Sequence, residues 1–63
     1  MTDHDLLCSP LHFSVQVTAN DYAYEGFLVS VFYKRTGAIR CVIEDSNGRL
    51  FIHNAKQIEP IRL

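Results

Sequence analysis

The sequence predicts an all-β domain of five short strands closed into a small barrel, with one 3₁₀ turn before the last strand. Three observations predict it. Phe13, Val15 and Val17 alternate with Ser14, Gln16 and Thr18, the period-two pattern of a half-buried strand. β-Branched and aromatic residues fill the longest apolar run, Phe27 to Tyr33. Turn formers interrupt the chain at short intervals, at Asn20-Asp21, Gly37 and Asn47-Gly48. No segment keeps a 3.6-residue apolar period, and there are no repeats or low-complexity tracts.

A chain of 63 residues makes one domain. At this size folding buries only about 60% of the surface the unfolded chain exposes, so disulfides, metals or oligomerisation often add stability. Residues 1–11 read as a flexible N-terminal arm and residues 12–63 as the barrel. Ser9-Pro10 favours an extended or turned backbone in the arm. The first strand begins at His12, and Ala19 to Glu25 form a loop. The second strand runs from Gly26 to Tyr33, and Lys34-Arg35-Thr36-Gly37 turn it into the third, Ala38 to Glu44. Asp45-Ser46-Asn47-Gly48 is the clearest hairpin signal, leading into Arg49 to His53. Asn54 to Gln57 suits a single 3₁₀ turn. Ile58 to Leu63 is the last strand, which Pro60 restricts to an edge.

Charge and cysteine content bound the function. Residues 1–25 carry Asp3, Asp5, Asp21 and Glu25 and no Lys or Arg. The rest carries Lys34, Arg35, Arg40, Arg49, Lys56 and Arg62 against Glu44, Asp45 and Glu59. That excess is mild for a nucleic-acid binder. Cys8 and Cys41 show no disulfide framework. Asp3, His4 and Asp5 stand where a secretory leader is basic, and no window approaches the ~18 apolar residues of a membrane span. The expectation is a cytoplasmic protein with reduced thiols and no membrane association.

Four-residue hairpin loops set a trial register in which Tyr33 faces Ala38 and Glu44 faces Arg49. Leu28, Ser30, Phe32, Ile39, Cys41, Ile43, Leu50 and Ile52 then line the interior. Phe13, Val15, Val17, Ile58 and Ile61 close it. The opposite face carries Phe27, Val29, Val31, Tyr33, Val42 and Phe51, with Arg40 and His53 directly opposed. A face this apolar marks an interaction surface unless the arm covers it with Leu6, Leu7 and Leu11.

The order of strands and loops from His12 to Leu63 resembles the SH3-like barrel, with Ala55 to Ile61 similar to its turn and last strand. Gly26-Phe27-Leu28-Val29, Tyr33, Cys41-Val42-Ile43-Glu44 and Leu50-Phe51-Ile52-His53 are similar in spacing to the plasmid-encoded, trimethoprim-insensitive dihydrofolate reductases. That resemblance implies a small protomer sharing a central pore among four copies. The family's Val-Gln-Ile-Tyr motif is missing: only Ile52 coincides, with Phe51 at the Gln position and His53 at the Tyr position. Glu25-Gly26-Phe27-Leu28-Val29 also looks like the Gly-led strand of small SH3-like RNA- and ribosome-binding modules.

Three functions follow, in order of support. The first is a non-catalytic module that forms a homo-oligomer or binds a protein partner through Phe27, Val29, Val31, Tyr33, Val42 and Phe51. The second is a nucleic-acid-binding barrel in which Tyr33, Arg40, Arg49, Phe51 and His53 stack bases and meet phosphates. The third is a reductase-like enzyme with a pore between protomers. No catalytic residue, cofactor or metal site is expected. His4, Cys8 and His12 have helical ligand spacing, but Pro10 interrupts the helix they need. Cys41 and His53 fall on opposite faces in the trial register, and Lys34-Arg35 reads as a solvated hairpin tip.

Overall fold

The computed structural model describes residues 1–9 and 11–61. Asp3–Cys8 form helix α1, followed by strands β1 (Ser14–Thr18), β2 (Ala23–Tyr33), β3 (Ile39–Glu44) and β4 (Leu50–His53). A 3₁₀ turn, η1 (Ala55–Gln57), precedes β5 (Ile58–Pro60). All five strands are antiparallel in one sheet of order β4-β3-β2-β1-β5. Pro60 lies on an edge strand, where its missing N–H costs no ladder bond. The expected end of the last strand beyond Ile61, and the turn at Pro10, lie outside the described residues.

The sheet cannot lie flat. Five flat strands would hold β4 and β5 about 19 Å apart at ~4.8 Å per strand. Only Asn54 and the compact η1 join these two edges. The sheet therefore curls around one cluster of Leu6, Val15, Val17, Leu28, Cys41, Ile43, Ala55 and Ile58.

Leu6 belongs to α1, which corrects the expectation of a flexible arm. Thr2 caps the helix: its hydroxyl accepts from the Asp5 amide, and the Asp5 carboxylate accepts from the Thr2 amide. The Met1 ammonium donates to the Ile58 carbonyl and to Glu59 Oε1, each at 2.8 Å. With Leu6 buried, the arm is a plug across one end of the core. Six residues give fewer than two turns, too short for a readable helical period.

The register differs from the hairpin-loop expectation by one residue. Tyr33 pairs with Ile39, Val31 with Cys41, Cys41 with His53, and Glu44 with Leu50. Shifting a strand by one residue exchanges its faces. β4 is accordingly reversed: Phe51 and His53 face inward, whereas Leu50 and Ile52 face out. In β2 the pairing shifts at Val29, between Leu28 and Ser30, so that Leu28 and Val31 both point inward. Phe32, placed inside by the trial register, pairs with Arg40 on the outer face.

Candidate functional site

The outer face of β2, β3 and β4 carries Phe27, Glu44 and Leu50 in one cross-strand row, Val42 and Ile52 in the next, and Phe32 with Arg40 beyond. Leu50 and Ile52 are each 63% exposed and Phe27 is 40% exposed. Of the interface residues predicted from sequence, Phe27 and Val42 lie on this patch. Val29 is half-buried at the bulge, and Val31 packs against the core. Tyr33 is exposed at the end of β2, in a shallow groove with Leu7 and Leu11 where the arm meets the strand. Phe51 is on the inward face of β4. The sequence reading missed Leu50, Ile52 and Phe32, because their faces depend on the register.

A second feature lies where the β1–β2 loop meets the β3–β4 hairpin. Tyr22, Tyr24 and Phe51 line a groove of about 460 Å³ together with Glu25, Asp45 and Arg49. Tyr24 extends β2 backward from Gly26, in a stretch expected to be loop. The missed signal is alternation: Tyr24, Gly26 and Leu28 continue the inward set at period two, with exposed Tyr22 in phase just before the strand. Tyr22 and Tyr24 stack at 5.9 Å between ring centroids, and Phe51 meets Tyr24 at 5.6 Å with planes tilted by 59°. The Arg49 guanidinium lies 5.7 Å from the Phe51 centroid, while its Nε donates to Asp45 Oδ2 at 3.0 Å.

Behind the groove is His53, 3% exposed. Gln57 Oε1 accepts from the Asn54 amide, so it presents an acceptor to His53 Nδ1 at 3.4 Å. On its other side the ring nitrogen Nε2 shares a hydrogen bond of 2.7 Å with the Tyr24 hydroxyl. Burial, with the charge of Asp45 contributing, pushes the Tyr24 phenol up to about 12. It is a neutral hydrogen-bond donor at neutral pH.

The five residues expected to form a base-stacking platform are not brought together. Arg40 is on the outer face, paired across the strands with Phe32 rather than His53. Tyr33 stands at the far end of β2. His53 is enclosed, and only Arg49 and Phe51 remain adjacent. Cys41 and His53 are register partners on the same inward face, contrary to the trial register. They still form no thiol–imidazole pair: Cys41 Sγ donates to the His53 carbonyl at 3.3 Å, and burial raises the thiol pKa. His4 and Cys8 do meet on α1, at 3.7 Å, because the helix ends before Pro10. His12 lies past the helix at positive φ and stacks on Phe27, so the three ligand types do not converge. Among the described residues no helix is long and apolar enough to cross a membrane.

In comparisons with known proteins, no family model, curated protein or solved structure matches the chain.

Proposed function

We propose that the chain is a non-catalytic SH3-like barrel that works by self-association, pairing the outer face of β2, β3 and β4 with the same face of a second copy. The observation that carries this reading is the exposure of Leu50 and Ile52, each 63%, beside Phe27 and Val42. The strand order β4-β3-β2-β1-β5, with a 3₁₀ turn before the last strand, supports the SH3-like layout. Fully burying one such aliphatic or aromatic side chain is worth about 1.5–3 kcal/mol, and an isologous interface uses each one twice.

Charge placement favours a second copy over an unlike partner. Arg40, Val42 and Glu44 follow one another along the outer face of β3. A two-fold axis through Val42 sets Arg40 against Glu44 across the two copies. The patch is thus self-complementary in charge as well as apolar.

A charge swap tests this pairing by size-exclusion chromatography. Arg40→Glu and Glu44→Arg should each weaken the oligomer, and the double variant should restore it. Equal elution of all four proteins at the monomer position would overturn the reading.

A further inference from the structure

The groove at Tyr22, Tyr24 and Phe51 is separate from the self-association face, and its chemistry points to a small charged ligand. We propose that it binds an alkylated ammonium group, the chemistry shared by choline and by a methylated lysine side chain.

Its volume of about 460 Å³ lies within the usual range of ligand sites. Tyr24 and Phe51, tilted by 59°, form an aromatic corner, and Tyr22 extends it toward solvent at 52% exposure. Aromatic faces attract cations through the ring quadrupole. Two carboxylates, Glu25 and Asp45, line the groove against the single cation Arg49. The corner already holds one cation in this way: Arg49 rests over Phe51 and is tied back by Asp45. That arrangement leaves the exposed Tyr22 and Glu25, backed by the packed Tyr24 ring, to receive a second.

Hydrogen bonding narrows the class. Among the described residues no buried side-chain donor or acceptor lacks a partner. The Tyr24 hydroxyl is already engaged by His53. The enclosed wall of the groove thus offers ring faces rather than free hydrogen-bonding groups, and the polar side chains at its mouth, Glu25, Ser46 and Asn47, are exposed to water. A quaternary ammonium has no N–H and needs only ring faces and diffuse negative charge. An anionic aromatic ligand, such as a nucleotide, would instead need Arg49, whose charge Asp45 already offsets.

The test is an NMR titration of the intact chain with choline and with its neutral isostere 3,3-dimethylbutan-1-ol. Choline should give saturable shifts at Tyr22, Tyr24 and Glu25 with a dissociation constant of ~1–10 mM. The neutral isostere should bind at least about fivefold more weakly. Tyr22→Ala should weaken choline by about fivefold without changing the melting temperature. Arg49→Ala should leave choline binding unchanged or tighten it, since it frees Phe51 and Asp45. A short trimethyllysine peptide binding more tightly than choline identifies a peptide source for the ammonium, and equal binding identifies a free small molecule. Both outcomes uphold the site. Equal binding of the neutral isostere, no saturation at about 100 mM choline, or loss of choline binding in Arg49→Ala would overturn it.

Discussion

Gly26 pairs with Val15 of β1, and its missing side chain leaves room for Ile43 of β3. A Cβ there would run into Ile43 Cγ2 and come within 3.0 Å of the Glu44 carbonyl oxygen. Ile43 is fully buried and has no room to yield. Gly26→Ala should therefore destabilise the fold by roughly 1–3 kcal/mol, read as a lower urea midpoint. Asp45 shows a different dependence. It accepts from the backbone amides of Arg49 and Asn47 and from the Arg49 guanidinium, which holds its carboxyl below the usual carboxylate range. A group more acidic when folded stabilises fully above its unfolded value of 3.8 and loses that contribution as pH falls through its folded value. The stability gap between the native chain and Asp45→Asn should thus close as pH drops below that value, measured by thermal melting across an acid series. Tyr24 behaves in the opposite sense. Its phenol is pushed from 10.0 to about 12, so the unfolded chain releases that proton first and stability falls as pH rises between those values. Tyr24→Phe should flatten this alkaline limb.

At the scale of elements, α1 is the clearest case of structure made by tertiary packing. A six-residue helix is too short to stand alone in water. Its capping box and the burial of Leu6 hold it in place. Leu6→Ala should cost about 2–5 kcal/mol, a loss foreign to a mobile arm and measurable by chemical denaturation. The strands themselves were legible: turn residues such as Asn47-Gly48 and the β-branched run of β2 placed all five. Their faces were not. A four-residue loop put Glu44 opposite Arg49, whereas the Asp45 amide bonds the Arg49 carbonyl and only Ser46-Asn47-Gly48 turn, with Gly48 at positive φ, so Leu50 falls opposite Glu44. The bulge at Val29 adds a second change of face that no local residue type announces. Both β2 and β4 are apolar on alternate and intervening positions alike, so either register buries greasy side chains and hydrophobic pattern alone does not choose.

For the whole molecule, the same ambiguity explains how much of the proposed association surface was legible. An excess of apolar residues beyond what a small core can bury is a property of composition, and it survives the change of register. The identity of the excess residues does not survive: Val31 and Phe51 go inward, and Leu50 and Ile52 come out. This changes the informative variant. Val31→Lys would place a charge at a half-buried position packed against the core and destabilise the chain, whereas Ile52→Lys acts on an exposed position. Ile52→Lys should keep the far-ultraviolet spectrum and melting behaviour of a folded β-protein while lowering the association constant at least about tenfold, a change of about 1.4 kcal/mol. Phe27 and Val42 anchor the same patch, so Val42→Lys should act in parallel. The most direct measurement is sedimentation equilibrium of the native chain over a wide concentration range. Self-association through the outer sheet face predicts a mass that rises from 7.2 kDa to an even multiple of it. A constant mass of one chain at the highest concentration would contradict it.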